Sequence, residues 1–252
     1  YGTMTFQLVE PILLIGLGGV GARLAEKAKK SLNSDCLLIS HDQKDLTIEN
    51  SIKISTKSVV NPSTHLIRGS TLETSDEIKK NIANHSTVIL MSNLAGKAGT
   101  GIGPIVSRIC KQEQKNLLSF VVMPFKFEKE RIFQSGIALK RIRQDSQCTI
   151  VVDNDALLDS NPDLTQNQCY DISNKAIESM MHSLKSSEIS GDTNILSTGK
   201  ATSDIEVSLK DSLRMLYEDA PPNSIKRSML YVYGADNIPV GVLNTISNIT
   251  GG

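Results

Sequence analysis

Two apolar runs in this chain end close to glycine clusters, and that juxtaposition limits the fold more than any other feature. The run at 11–15 passes straight into Gly16-Leu-Gly18-Gly19-Val-Gly21. The run at 87–91 is followed closely by Ala95-Gly96-Lys97-Ala98-Gly99-Thr100-Gly101. In both places a stretch of helical composition comes next. Glycine there lets the backbone turn sharply out of a strand, and lets backbone N–H groups at a helix start approach an anionic group closely.

The same strand–loop–helix pattern repeats about five times. Runs at 36–40, 117–122 and 148–152 read as further strands, and 22–32, 75–82, 104–112 and 132–143 as helices. The strands are apolar throughout rather than alternating, as expected of a parallel sheet covered by helices on both faces. The fold class is therefore α/β, a doubly wound, mostly parallel sheet. Its ligands are expected at the carboxyl ends of the strands. The stretch 47–74 reads as a long polar loop with an edge strand at best. After 152 the pattern changes: 170–184 reads as one long central helix and 186–202 as a polar Ser/Thr/Gly-rich linker. Beyond them 204–218 reads as a helix, 228–233 as a strand and 239–249 as a last helix. The chain thus divides into a nucleotide domain at 1–185 and a linker with a truncated α+β second domain at 186–252.

Composition narrows the function. With 27 basic and 27 acidic residues the net charge is zero, so nothing draws the chain onto nucleic acid. There is no Trp and aromatic residues are only 4%, which argues against a base-stacking platform. Cys36, Cys110, Cys148 and Cys169 form no CxxC pair and read as reduced, buried thiols. The four histidines, His41, His65, His85 and His182, have no zinc-ligand spacing, so no metal site is expected. No run of 18 apolar residues occurs, so direct membrane insertion is not expected, and a cytoplasmic location follows by elimination.

Taken alone, the first loop is a GxGxxG match with an acid, Asp42, at the end of the next strand. That is the dinucleotide fingerprint, in which the acid holds a ribose hydroxyl, and an NAD(P)-dependent Rossmann oxidoreductase is the alternative reading. The second loop is not part of that fingerprint. Two cradles on neighbouring strand ends can hold two parts of a triphosphate. Lys97 either adds positive charge there or is a solvated loop lysine.

The second loop resembles the GGGTGTG motif of the tubulin/FtsZ superfamily, with Gly96, Gly99, Thr100 and Gly101 matching and Ala95, Lys97 and Ala98 departing. Further matches lie in the family's order. Residues 12–24 resemble its first glycine loop, and Ile39-Ser-His-Asp42 stands where FtsZ carries INTD. Pro104-Ile-Val is similar to the run after the motif. Met123-Pro-Phe-Lys-Phe-Glu128-Lys-Glu-Arg131 is similar to KPFxFEGxxR, and Val152-Asp-Asn154-Asp155-Ala-Leu-Leu to IPNDxLL. Tyr170-Asp-Ile-Ser-Asn174 matches the opening of the central helix. The resemblance implies a protein that binds GTP or GDP, with Mg carried on the nucleotide phosphates. It implies phosphate contacts from Gly18, Gly19 and Gly21 and from Gly96, Gly99, Thr100 and Gly101, with Asp42 beside them. It also implies ribose and phosphate contacts from Glu128 and Arg131, although the spacing there is one residue shorter. Asn154 would bond the guanine or ribose, Tyr170 would stack on the base and Asn174 would read its edge. An aromatic and an amide four apart share one helical face, which suits a purine. The implied partners are a second copy or a related FtsZ/tubulin-like protein.

The family completes its hydrolytic site with acids from a neighbouring subunit, carried in a GxxNxDxxD loop. Here one alignment puts Leu196 and Gly199 where the acids belong, and another deletes the loop. Glu188 and Asp192 are the nearby acids, either substitutes for that pair or solvated linker charges. The resemblance therefore implies at most a weak or partner-dependent GTPase, either filament-forming or a nucleotide-dependent assembly module.

Overall fold

A computed structural model of the protein describes residues 5–6, 8–125, 128–153, 163–168, 171, 174, 189–190, 228–233 and 239–244. In chain order the elements are β1 (Thr5–Phe6), β2 (Ile12–Leu17), α1 (Gly18–Leu32), β3 (Asp35–Ser40), a one-turn 3-10 helix (Gln43–Asp45) and β4 (Ser51–Lys53). There follow α2 (Thr64–Glu73), α3 (Ser75–Ile82), β5 (Thr87–Asn93), α4 (Lys97–Gln112), β6 (Asn116–Met123), α5 (Lys129–Asp145) and β7 (Cys148–Asp153). The last described elements are β8 (Ile189–Ser190), β9 (Ser228–Tyr233) and β10 (Pro239–Asn244).

Eight strands form one sheet in the order β10-β9-β7-β6-β5-β2-β3-β4. Every neighbouring pair from β4 to β9 is parallel; only the β10–β9 pair is antiparallel. A separate antiparallel ladder joins β1 to β8. From β2 the chain winds outward through β3 to β4. It then returns so that β5 lies on the other flank of β2 and winding proceeds to β6 and β7. The strand order therefore reverses between β2 and β5, which is where an open α/β sheet leaves a crevice for a ligand.

The continuous apolar runs are buried on both faces, as the parallel pattern predicts. Leu13, Ile15 and Leu17 pack with Leu37, Ile39, Val88 and Leu90 against Ile102, Val106 and Ile109 of α4 and Ile67 of α2. Leu14, fully buried but outside that cluster, belongs to the alternate set. Each such aliphatic side chain contributes roughly 1.5–3 kcal/mol by leaving water. A second cluster joins Leu94 and Val121 to Ala138, Leu139 and Ile142 of α5. Cys36 and Cys110 are free and buried; burial pushes their thiols up to about 11 and about 12. Among the described residues no helix is long and apolar enough to cross a membrane.

Three elements differ from the sequence expectation. The polar stretch after residue 47 contains α2, whose buried face is only Ile67, Ser70 and Thr71, so it has no apolar stripe to read. Helix α4 starts at Lys97, seven residues ahead of Pro104, which lies inside it. The glycines ahead of Pro104 lower helix propensity, so the expected start falls after them. Tertiary contacts instead hold a glycine-rich opening turn that intrinsic propensity disfavours. At 239–249 the expected helix is replaced over Pro239–Asn244 by the strand β10, paired along β9. The apolar run there carries no turn signal that separates a short helix from a strand, and β9 supplies the hydrogen-bonding edge. The residues of the expected helix at 204–218 lie outside those described. The expected central helix at 170–184 also lies largely outside them. Ahead of it, Thr165 and Gln168 form a reciprocal capping box (2.8 and 3.1 Å) that opens a helical turn at residues 166–168. Asp171 and Asn174 are helical too, and Asn174 is half-buried.

Candidate functional site

The glycine loops end up side by side at the reversal point. β2 and β5 pair in register, with Leu17 opposite Ser92, so α1 and α4 start from adjacent strand ends. Neither helix has a side-chain cap on its first turn, and neither carries an acid there. Uncapped first turns leave N–H donors at the positive end of each helix dipole, and two of them meet here. That is an arrangement for an anion with more than one charged group.

Close backbone approaches explain the glycines. A Cβ on Gly16 would lie 2.4 Å from the Gly21 carbonyl oxygen, and one on Gly21 would lie 2.6 Å from that of Met91. Gly99 is tighter still, with the Asn93 carbonyl oxygen 2.2 Å from its Cβ position. Gly18 has φ +67°, in the left-handed region, and its Cβ position is 2.8 Å from the Ala98 Cβ. The two loops therefore touch, and a side chain on Gly18 would fill the space between them. Gly101 packs on Ile67, its Cβ position 2.9 Å from Cγ2, which seats α4 on the start of α2. Gly96 is the N-cap residue of α4. The Thr100 hydroxyl lies within hydrogen-bond reach of the Gly96 and Lys97 carbonyl oxygens (3.1 and 3.3 Å), leaving its lone pairs free to accept.

The rim of the crevice comes from three other strand ends. After β3, Asp42 caps the one-turn helix by accepting from the Lys44 N–H (3.1 Å). That cap places Asp45 three residues on, where it accepts from the Ser40 hydroxyl (2.7 Å). The other Asp45 oxygen stands 3.0 Å from the Cβ position of Gly19, so Asp45 is the acid that faces the first loop. Sequence reasoning passed over Asp45; the available signal was the Asx cap at Asp42 with an acid at i+3. Just ahead of them, the His41 Nδ1 is buried with no hydrogen-bond partner among the described residues. Burial lowers the His41 pKa, Asp42 and Asp45 oppose this, and the charge of Lys97 adds to the lowering.

On the other side, Glu128 accepts from the Phe125 N–H (2.9 Å). Arg131, one turn along, donates to the Ala95 carbonyl oxygen (2.6 Å) and lies 3.9 Å from Glu128. Arg131 thus ties the start of α5 to the second glycine loop. Lys97 is not a solvated loop lysine. It donates to the Asn61 side-chain oxygen (2.7 Å) and to the Pro62 carbonyl oxygen (2.9 Å). The structure therefore brings together Gly18, Gly19, Gly21, Gly96, Gly99, Thr100, Gly101 and Arg131 about one crevice, with Glu128 bonded beside Arg131. Asp42 sits at its edge, with one carboxylate oxygen accepting the backbone cap. Asn154, Tyr170, Glu188 and Asp192 lie outside the described residues. Among the described residues no group of three or more His, Cys, Asp or Glu could hold a metal ion. A cleft of about 360 Å³ between Glu10 and Asp35 opens at the opposite end of β2 and β3, away from these loops.

The model of the Tubulin/FtsZ family, GTPase domain, matches residues 64–162, from the first residue of α2 to beyond β7. "Cell division protein FtsZ 2" of Halobacterium salinarum is 26% identical over 180 residues, covering 66% of this chain and 44% of that protein. "Cell division protein FtsZ" of Haloferax mediterranei is 33% identical over 115 residues, 45% of this chain and 30% of that protein. A solved FtsZ dimer of M. jannaschii superposes with a TM-score of 0.62 at 22% identity, covering 73% of this chain and 57% of that one. Residues 64–162 thus match a tubulin/FtsZ-family GTPase domain, and the relatives and fold that this chain resembles are FtsZ-like. A CetZ from Methanosaeta thermophila shares the fold more distantly, at TM-score 0.55 and 17% identity over 70% of this chain and 55% of that one. The FtsZ-like chain spans about half the length, or less, of the relatives it matches (44% and 50% of two proteins from H. salinarum). These likenesses do not favour a Rossmann oxidoreductase.

Proposed function

We propose that this FtsZ-like chain binds GTP or GDP in the crevice between β2 and β5. The observation that carries the reading is the meeting of two uncapped, acid-free helix starts at the point where strand order reverses. The glycines fit a phosphate chain: a Cβ at Gly18 would occupy the space between the loops, and the first-turn N–H groups of α1 and α4 are free of side-chain caps. In this reading Gly18, Gly19 and Gly21 contact phosphates from one side. Gly96, Gly99, Thr100 and Gly101 cradle the outer phosphates from the other. Mg would be carried on the nucleotide phosphates. Glu128, Arg131 and Asn154 would serve ribose and phosphate, Tyr170 would stack on the base and Asn174 would read its edge. Residues 1–185 would then be the nucleotide domain, and 186–252 a linker and reduced appendage, of which β9 and β10 extend the same sheet.

Hydrolysis by the isolated chain is proposed to be slow, because this chain shows Leu196 and Gly199, or nothing, where the family carries water-orienting acids. Loss of such a group typically lowers a rate on the order of 10²–10⁴-fold. Assembly with a second copy or with a related FtsZ/tubulin-like protein would then depend on the bound nucleotide. A partner that donates the missing group would restore turnover.

The deciding experiment is the nucleotide that co-purifies, released by heat and separated by ion exchange, followed by titration with GTP, GDP, ATP and NAD. Guanine nucleotide in the released fraction and GTP binding well above ATP are expected; NAD, or ATP bound as tightly as GTP, would overturn the assignment. Phosphate release over a wide range of protein concentration tests the second part. A steep rise with concentration, abolished by Asp192→Ala or Glu188→Ala, would mean that one of these acids replaces the missing pair.

A further inference from the structure

The net charge of zero conceals a one-sided distribution. Helix α4 carries three bases and no acid, and α5 carries five bases and two acids. One of those acids, Asp145, is recessed, its side chain 7% exposed. It lies 3.9 Å from both Arg108 and Lys111, whose side chains stay 65% and 56% exposed. Last-turn bases such as Lys111 and Arg143 complement the helix dipole. That role does not extend to Arg68 of α2, whose Nε is buried with no hydrogen-bond partner among the described residues. Burial lowers the Arg68 pKa, and the charge of Arg141 on α5 lowers it further. Like charges from α2 and α5 thus bear on one place, and an anion there would relieve both.

The outward side of α5 is also apolar where a surface helix is normally polar. Its buried face is Ser135, Ala138, Leu139, Ile142 and Asp145. On the other side Phe133 is 76% exposed and Ile137, one turn on, is 38% exposed. Residues four apart share one helical face, so exposed Lys129 stands a turn before this pair and exposed Arg141 a turn after it, with Lys140 alongside. A Cβ on Gly136, between the two apolar residues, would meet nothing within 4 Å, so the backbone there is open to close approach. Single exposed apolar residues are ordinary. An aromatic and an isoleucine in line, with bases at both ends, make the pattern of a helix that lies on a membrane surface.

We infer that the outer face of α5, together with Arg68 of α2, rests on an anionic lipid surface. Phe133 and Ile137 enter the interfacial layer, and Lys129, Lys140, Arg141 and Arg68 face the lipid phosphates. The face is convex and its apolar strip is narrow. A stable protein interface takes about 800 Å² from each partner. A lipid surface needs only a shallow apolar contact added to electrostatic attraction. The contact is peripheral and reversible, in keeping with the described helices, none of which is long and apolar enough to cross a membrane. It does not depend on what fills the crevice between β2 and β5.

The test mixes the whole chain with vesicles of phosphatidylcholine, alone or with about one third phosphatidylserine, and reads co-sedimentation at low and raised salt. Binding is expected to the phosphatidylserine vesicles alone, and to fall about ten-fold or more as salt rises. Lys140→Glu combined with Arg141→Glu should weaken it by about 100-fold or more, and Arg68→Gln by about five-fold. Phe133→Ser should weaken it about ten-fold while keeping the salt dependence. Phe133, Lys140 and Arg141 are exposed, so their substitution should leave thermal unfolding at the parent value. The chain has no Trp, so Phe133→Trp supplies a single reporter, whose emission should shift to the blue with the anionic vesicles only. A parent protein that ignores anionic vesicles, or variants that bind them as the parent does, would overturn the inference. So would self-association that Phe133→Ser abolishes in a protein that binds no vesicle, which would assign the face to a second copy.

Discussion

The two glycine loops reach the same crevice by different means. The first is closed on itself and on β5 by backbone: Gly16 lies on the Gly21 carbonyl, and Gly21 on that of Met91. The second packs on the end of its own strand at Gly99, but side chains anchor it to its surroundings. Lys97 ties it to the segment before α2, and Arg131 ties it to the start of α5. Backbone contacts allow one arrangement and tolerate no side chain. Side-chain ties can be made, exchanged or lost without rebuilding the sheet. The first loop is therefore held by its own backbone, and the second is a junction that side chains tie to two neighbouring segments.

Substitutions that introduce a Cβ should break the comparison most sharply, because both loops share a backbone-packed root. Gly99→Ala and Gly21→Ala each place a carbon inside a backbone carbonyl contact. They should cost about 3 kcal/mol or more in denaturant unfolding. Gly18→Ala meets the left-handed backbone and the Ala98 methyl. A loss of about 1–2 kcal/mol in stability is expected, with a loss of GTP affinity of at least ten-fold by titration. If Gly18→Ala binds GTP normally, the space between the loops is not a phosphate seat.

The side-chain ties should give smaller effects. Arg131→Ala removes the donor to Ala95 and should cost about 1 kcal/mol of stability while leaving the first loop unaffected by hydrogen exchange. His41 supplies a pH-dependent difference. Its folded pKa is lowered from 6.5, chiefly by burial, so the unfolded chain binds the proton more readily. Its favourable contribution is fully present above about pH 6.5 and is lost as the pH falls below that value. Thermal unfolding between pH 8 and pH 5 should show an acid-side decline that His41→Gln flattens. At the far end of the scale, a Cβ on Gly69 in α2 or Gly136 in α5 meets nothing within 4 Å. Alanine at either should raise stability by roughly 0.5–1 kcal/mol, which sets these glycines apart from those of the loops.

What could be read from the sequence follows the same division. The strands and the first loop were legible because apolar runs and closely spaced glycines report backbone geometry directly. Ser75–Ile82 was legible as α3 because Ile78 and Ile82 sit on one buried face between acidic first-turn and basic last-turn residues. Helix α2 was not, since Ser70 and Thr71 fill its buried face. The start of α4 was missed because glycine lowers helix propensity, while the contacts that stabilise those glycines come from Asn93 and Ile67. Asp45 and the Lys97–Asn61 tie were missed because each depends on a loop folding back over residues distant in sequence. No local periodicity encodes that return.

The reversal of strand order also sets when the crevice can exist. The first loop is made well before the strand that flanks it, β5, which follows only after β3, β4, α2 and α3. Ile12 cannot find Thr87, nor Gly21 the Met91 carbonyl, until the polypeptide has extended past residue 93. A nascent chain halted short of that length carries the glycines of the first loop without the surface they need. Pairings this remote in sequence slow the search for the native state and leave apolar edges open meanwhile. On a ribosome, capture of the proposed nucleotide would therefore report that both halves of the central sheet had closed, and stalled fragments would be those most exposed to aggregation or to chaperones.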